Sequence, residues 1–206
     1  MLNRGIELFN QEKFDEAEEI FRKIVQKRSV EKDYRTALYY MGFVLCYKEA
    51  FEEAKDVYEE LLEIAKVEHD MENSAIMYHQ LSMVERLSGH LDKAIDYLMI
   101  EKNTRKCYLK EDYVGFSSNY YELGLLHLRK KEIDKAKSYI DLAIMNGIIS
   151  EDASSIGSCY KGLGDIEVVE GNAAKAKKWY EDSKRYLENA HDDFGVKKIQ
   201  SIIDKL

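Results

Sequence analysis

A pairing of one small and one large residue recurs along the chain at a nearly fixed interval. Five alanines are each followed four residues later by an aromatic or aliphatic residue, in the pairs Ala17–Phe21, Ala54–Tyr58, Ala94–Leu98, Ala136–Ile140 and Ala176–Tyr180. Successive alanines are 37, 40, 42 and 40 residues apart. Twelve residues before the alanines stand Gly5, Gly42, Ser82, Gly124 and Gly164, in a chain with only 11 glycines among 206 residues. This periodicity indicates a repeat architecture, in which each unit has the same local structure and buries its apolar face against its neighbours.

Each unit has the pattern of two amphipathic helices. Apolar residues recur three and four positions apart in both halves, so each helix buries one face. Small residues allow two helix axes to approach closely, and large residues fill the groove beside that contact. Asp70, Asp112 and Asp152 each precede a new apolar pattern and are predicted helix N-caps. The chain has no proline, so we expect short turns, one of them closed by Asn146-Gly147. The predicted helices span approximately residues 2–11, 14–28, 33–48, 51–67, 72–88, 91–107, 114–130, 133–146, 154–170, 173–189 and 194–205.

The order of these residues resembles the tetratricopeptide repeat. The last full unit carries the signature as Tyr160, Leu163-Gly164, Gly171, Ala176 and Tyr180. The resemblance covers about the whole chain and implies an all-α, right-handed superhelix of five helix pairs plus a C-terminal capping helix. We therefore expect a single array over residues 1–206, with units at about 1–30, 31–69, 70–111, 112–151 and 152–191 and a capping helix at 193–205. The units are mostly 40 residues or longer instead of about 34, and in this they are similar to those of bacterial peptide receptors and cell-polarity adaptors.

The resemblance also implies where a partner binds. In such arrays the first helix of each pair lines the inner, concave wall. The wall residues expected here are Tyr39, Phe43, Tyr47, His79, Met83, Arg86, Tyr121, Leu125, Arg129, Lys161 and Asp165. Aromatic and methionine side chains offer apolar contact and arginine offers paired donors for carboxylates, so this set suits a peptide with apolar side chains and some acidic character. The other interpretation is that several of these residues serve only the packing between helices.

Charge and cysteine usage narrow the class of partner and the compartment. The formal net charge is −8 and the isoelectric point is about 5.3, which disfavours nucleic acid and anionic membrane surfaces as partners. No signal peptide is recognisable at the N-terminus, and no apolar stretch reaches the roughly 18 residues of a membrane helix. Cys46, Cys107 and Cys159 form no CxxC motif, and we expect them to be small buried residues of a reduced, cytoplasmic protein.

A search for catalytic and metal-binding patterns finds none. The histidines at positions 69, 79, 90, 127 and 191 form no HExxH motif and no pair three or four residues apart. His127 is predicted to be a buried histidine with a hydrogen-bond partner. Phosphate-binding glycine loops and a GxSxG nucleophile motif are also absent from the sequence. We therefore predict no catalytic residue, no cofactor and no metal site, and the chain is not expected to be an enzyme.

Two functions remain open on the sequence alone. The first is a scaffold or adaptor that binds a peptide segment of another protein. The alternative is a sensory receptor, or a fragment of one, for a short signalling peptide, with its output domain absent from this chain. The first repeat begins almost at Met1 without a preceding cap, so either the first helix frays or this end contacts a partner or a second copy of the chain.

Overall fold

The computed structural model describes residues 1–27 and 30–206, and within these ranges the chain is helical throughout, with turns between the helices and no strand. The helices are α1 Leu2–Asn10, α2 Phe14–Lys27, α3 Glu31–Tyr47, α4 Phe51–Val67, α5 Met71–Leu87, α6 Leu91–Tyr108, α7 Tyr113–Arg129, α8 Ile133–Ile149, α9 Ala153–Val169, α10 Ala173–Asn189 and α11 Asp193–Ile203. Each begins within two residues of its predicted start. The predicted end of the second helix, at residue 28, lies outside the described residues. The all-α prediction is confirmed.

The helix starts follow the predicted aspartates. The side chain of Asp70 accepts a hydrogen bond from the backbone N–H of Asn73, and that of Asp112 accepts one from Gly115. Asp152 accepts from the backbone N–H groups of Ser154 and Ser155. These bonds satisfy N–H groups that have no partner within their own helix, so the three predicted N-caps are confirmed.

The turns inside the helix pairs place one residue in the left-handed region of backbone conformation. This residue stands five positions before the repeated alanine, and it is Glu12 (φ 59°), Glu49 (φ 59°), Gly89 (φ 86°), Lys131 (φ 60°) or Gly171 (φ 79°). Left-handed conformation strains residues with a Cβ atom, so only Gly89 and Gly171 meet it without cost. Connections between pairs use the same conformation at His69, Glu151 and His191.

The prediction that Asn146-Gly147 closes a turn is wrong. Gly147 lies inside α8, which continues to Ile149, and the left-handed residue of the following connection is Glu151. A Cβ atom on Gly147 would lie 3.0 Å from Cγ1 of Ile156 on α9. Glycine stands here because α8 and α9 approach closely, and not because the backbone turns.

In the four helix pairs that have the repeated glycine, the glycine of the first helix contacts the large residue of the second. A Cβ atom on Gly42 would lie 2.4 Å from Cζ of Tyr58, and one on Gly164 would lie 2.5 Å from Cε1 of Tyr180. A Cβ atom on Gly124 would lie 2.7 Å from Cδ1 of Ile140 and 3.3 Å from the carbonyl oxygen of Ala136. The predicted approach of glycine to alanine is therefore confirmed for Gly124 and Ala136. At Gly42 and Gly164 the three nearest atoms all belong to the tyrosine four residues after the alanine, so there the large side chain is the partner and not the alanine.

The chain divides into two compact units, Met1–Thr104 and Arg105–Leu206, which we call unit 1 and unit 2. Unit 1 has a core whose largest fully buried side chains are Phe21, Leu38, Leu45, Tyr58, Leu81, Leu98 and Glu101. The corresponding side chains of unit 2 are Leu123, Leu126, Ile140, Ile166 and Ile199. At the end of unit 2, Ile199 of α11 packs with Tyr180 and Leu187 of α10. The predicted division into five units of one array stays a prediction.

Two of the three cysteines are buried as predicted. Burial raises the pKa of the Cys46 thiol to about 11 and that of Cys159 to about 12. Cys107 is exposed near the end of α6, so the prediction is wrong for this residue. In the part of the chain that the structure describes, no helix combines the length and the apolar character needed to cross a bilayer.

Candidate functional site

The predicted groove residues of unit 1 lie on the first helices α3 and α5. They are Tyr39, Phe43 and Tyr47 on α3, and His79, Met83 and Arg86 on α5. Tyr47 is exposed and the other five are half-buried, whereas Leu38, Val44 and Leu45 of α3 are buried in the core. The six residues therefore lie at the boundary between the core and the solvent.

Tyr39 and Phe43 belong to a network of aromatic rings. Their ring centroids are 5.1 Å apart in an edge-to-face arrangement, and both rings also contact the buried ring of Tyr58. Nε2 of Gln80 on α5 donates a hydrogen bond of 3.3 Å to the hydroxyl oxygen of Tyr39. Burial raises the pKa of the Tyr39 hydroxyl above its ordinary value. The network fixes these two side chains, so their exposed edges form a rigid apolar surface.

Tyr47 presents the most open aromatic surface of this set. Its side chain is 64% exposed, and its ring is stacked on that of Phe14 with centroids 4.5 Å apart. The ring of Phe9 lies 6.2 Å away. We missed Phe14 from the sequence because it is the first residue of a second helix, whereas the groove was predicted from first helices alone. One face of Tyr47 is supported by protein and a large part of the ring stays accessible to a partner.

His79 and Arg86 bring polar groups to the same helix. Nδ1 of His79 lies 3.0 Å from Oε2 of Glu101, a carboxylate that is fully buried. This contact orients the imidazole, because a buried carboxylate needs a hydrogen-bond partner. Arg86 lies near enough to the thiol of Cys46 for its charge to oppose, in part, the effect of burial on the thiol pKa.

The predicted groove residues of unit 2 lie on α7 and α9. Arg129 is exposed, and Tyr121, Leu125, Lys161 and Asp165 are half-buried. Nζ of Lys161 donates a 2.5 Å hydrogen bond to Oδ2 of Asp165. The other carboxylate oxygen of Asp165 accepts a 2.9 Å bond from the hydroxyl of Tyr180. Lys161 and Asp165 thus neutralise each other, although both were predicted to face a ligand.

Each unit has a cleft that includes one predicted groove residue. Unit 2 has a polar cleft of about 230 Å³ lined by Ser117, Ser118, Tyr121, Glu122, Ser154, Ser155, Ser158 and Cys159. Unit 1 has a more apolar cleft of about 270 Å³ lined by Arg35, Thr36, Tyr39, Leu61, Ile64, Ala65, Asp70, Asn73, Ile76 and Met77. Tyr121 and Tyr39 are the only predicted groove residues that line them. The cleft of unit 1 could not be predicted from the first helices alone, because three of its residues come from α4, a second helix.

Nothing in the described residues resembles a metal centre, since they contain no group of three His, Cys, Asp or Glu side chains able to hold an ion. His127 is buried as predicted, and its Nδ1 lies 2.8 Å from Oε2 of Glu132. Hydrogen bonds from Lys135 and then from His127 lower the pKa of Glu132 to about 2. This cluster ties the turn between α7 and α8 to the adjacent helices, so we assign it a structural role.

Comparison with known proteins agrees with this architecture. Tetratricopeptide repeat models match residues 33–99 and 117–145. The structure of TTC0263, a thermophilic TPR protein of Thermus thermophilus, aligns with a TM-score of 0.67 and 19% identity over 100% of this chain and 97% of that one. BtubC (BKLC) from P. vanneervenii aligns with a TM-score of 0.69 and 17% identity over 92% of this chain and 78% of that one. No curated protein matches the sequence. Its helix pairs, repeated small residues and sequence matches together show that the chain contains tetratricopeptide repeats and has the all-α fold of tetratricopeptide repeat proteins.

Proposed function

We propose that this chain is a non-enzymatic scaffold or adaptor that binds a peptide segment of another protein along its first helices. Repeat folds of this kind present extended surfaces to partners, and their specificity depends on a few side chains. The observation that supports the proposal best is the placement of the eleven predicted groove residues. All of them lie on first helices and none is fully buried, although buried core residues alternate with them along the same helices.

The chemistry of these side chains defines the partner under this proposal. Tyr47 offers an open ring on a fixed support, and Leu125 and Met83 add apolar surface. Arg129 is exposed and offers paired N–H donors to a carboxylate. The expected ligand is therefore an extended or helical segment with spaced apolar side chains and at least one acidic residue.

The proposal is tested first in unit 2 with the double variant Tyr121→Ala, Arg129→Ala. Partner segments are identified by mass spectrometry of proteins that co-purify from the native cell, and their peptides are then titrated against the purified chain by fluorescence anisotropy. Tyrosine and arginine anchors often carry about 2 kcal/mol or more of a binding energy, so we expect the double variant to bind at least ~30-fold more weakly.

The matched control removes the same residue types from second helices. Tyr108 and Arg185 are both 66% exposed and lie on α6 and α10. The variant Tyr108→Ala, Arg185→Ala should bind as the unchanged chain does, and both variants should keep the helical circular dichroism signal. Undiminished binding by the Tyr121, Arg129 variant would exclude these residues as groove anchors.

A further inference from the structure

The apolar cleft of unit 1 has the features of a binding pocket for a single side chain. Its floor consists of Leu61, Ala65 and Met77, which are 3–7% exposed. Ile64 and Ile76 are half-buried and form walls from α4 and α5. These side chains leave an apolar depression open to solvent where three helices meet, and water in such a place makes poor hydrogen bonds. Filling it with apolar atoms is therefore favourable.

The size of the cleft restricts what it can hold. Its volume of about 270 Å³ lies below the roughly 300–1,000 Å³ of pockets that enclose drug-sized small molecules. One large apolar side chain fits such a volume, in the way that anchor residues of protein interfaces fill pockets on their partners. The size therefore favours a side chain of a protein segment over a free metabolite.

The rim of the cleft is acidic. Both terminal nitrogens of Arg35 donate 2.6 Å hydrogen bonds to the two carboxylate oxygens of Glu68, and its Nε donates a 3.0 Å bond to Glu31. Asp70 adds a third carboxylate, which accepts bonds from the backbone and side chain of Asn73. The Arg35 bond lowers the pKa of Glu68 and the Asn73 bonds lower that of Asp70, so both groups are ionised at neutral pH.

The surrounding sequence strengthens this charge. Residues 59–72, which include the end of α4 and the start of α5, contain six acidic residues and a single lysine. That lysine, Lys66, has its Nζ 5.9 Å from the ring centroid of Tyr78 and therefore lies against another side chain. Because the guanidinium of Arg35 is already paired with two carboxylates, the rim retains an excess of negative charge. A cationic segment is favoured beside the cleft, and an acidic one is repelled.

We propose that this cleft binds one large apolar side chain of a partner segment that carries lysine or arginine on either side of it. This site is distinct from the groove of unit 2, for which we expect an acidic ligand. It shares Tyr39 with the predicted groove of unit 1. The inference rests on the volume, lining and charge of the cleft, so it stands or fails independently of the groove residues Tyr121 and Arg129.

The first test uses a short synthetic peptide with one phenylalanine between two pairs of lysines. It is titrated into protein with isotope-labelled isoleucine and methionine methyl groups, and the methyl signals of Ile64, Ile76 and Met77 are followed by NMR. We expect these signals to shift with the lysine-flanked phenylalanine peptide. Replacing the phenylalanine with glycine, or the lysines with glutamates, should weaken binding at least ~tenfold. Equal binding of all three peptides, or unmoved methyl signals, would overturn the proposal.

The second test replaces Thr36, a lining residue, with phenylalanine, so that the new ring occupies the cleft. The matched control is Thr104→Phe, because the hydroxyl of each threonine donates a 3.0 Å bond to the carbonyl four residues earlier in its own helix, and both residues are half-buried. Thr36→Phe should weaken binding of the phenylalanine peptide at least ~tenfold, while Thr104→Phe leaves it within about twofold. If Thr36→Phe binds the peptide as tightly as the control does, the cleft is not the site. Should Thr36→Phe fail to fold, the three-peptide comparison on the unchanged chain decides alone.

Discussion

A single added methyl group at Gly42 tests the packing on which each helix pair depends. The Cβ atom of Gly42→Ala would lie 2.4 Å from Cζ and 2.8 Å from both Cε atoms of Tyr58. Carbon atoms in contact prefer about 3.5–4.0 Å, so the ring must move. The ring is fully buried, and it touches the rings of Tyr39 and Phe43. These neighbours leave it little room, and we expect the substitution to strain the pair.

Two opposing effects determine how much Gly42→Ala lowers the free energy of unfolding. Forcing an extra methyl group into a packed core costs about 1–3 kcal/mol. Replacing glycine with alanine inside a helix recovers about 1 kcal/mol of helix propensity. The short distances put the packing cost near its upper limit, so we expect a net destabilisation of about 1–2 kcal/mol. In a chain of this size that corresponds to a fall of roughly 2–8 °C in melting temperature.

The chain itself supplies the matched comparison. The unit that has Ser82 in place of the glycine has Leu98, and no ring, at the partner position. Gly42→Ala should therefore be tolerated when Tyr58 is also replaced by leucine. Urea unfolding followed by circular dichroism, on both single variants and the double variant, should give a favourable coupling energy of at least ~1 kcal/mol. Equal losses in the two backgrounds, or a Gly42→Ala variant as stable as the unchanged chain, would refute the packing argument.

Three further predictions concern the turns, the cysteines and one carboxylate. Lys131→Gly should raise the free energy of unfolding by about 0.5–1 kcal/mol in a urea titration, because glycine relieves the left-handed strain but enlarges the entropy of the unfolded chain. A thiol reagent should label Cys107 rapidly and leave the buried thiols, such as Cys46, protected until denaturant is added. The pKa of Glu132 is lowered from 4.5 to about 2, so its interactions stabilise the fold above pH 4.5 and are lost as the pH falls through about 2. Carboxyl NMR should show this low pKa, and Lys135→Ala should raise it.

The helix pairs could be predicted from the sequence because the contact that defines them is close along the chain. Each glycine and its large partner are sixteen residues apart, as in Gly124 and Ile140, and always lie on consecutive helices. The N-cap aspartates are more local still, since each bonds to a residue two or three positions ahead. Short-range patterns of this kind determine the fold of a repeat protein, because each unit contacts mainly its neighbours.

Gly147 shows where local patterns mislead. Asn-Gly is a strong turn signal when only the backbone is considered. A glycine is also needed inside a helix where a side chain of a neighbouring helix leaves no room for a Cβ atom. At Gly147 that side chain is Ile156 of α9. Conversely, Glu12, Glu49 and Lys131 adopt the left-handed conformation without any glycine signal. Local backbone bonds close these turns, such as the one from the N–H of Ala50 to the carbonyl oxygen of Leu45. At Gly147, in contrast, a contact with another helix decided the residue, and the sequence of one segment does not contain that contact.

The binding surfaces were harder to predict because their character depends on which charges are already paired. Lys161 and Asp165 were both predicted to line the groove, but Asp165 neutralises Lys161 and Tyr180 donates a hydrogen bond to the same carboxylate. Arg129 is exposed and has no ion-pair partner within residues 1–27 and 30–206. Under the proposed function, recognition of an acidic ligand in unit 2 therefore depends more on Arg129 than on Lys161. Arg35 in unit 1 is also paired, but with two carboxylates, those of Glu31 and Glu68. The charge around this arginine is therefore negative, although the residue itself is positive.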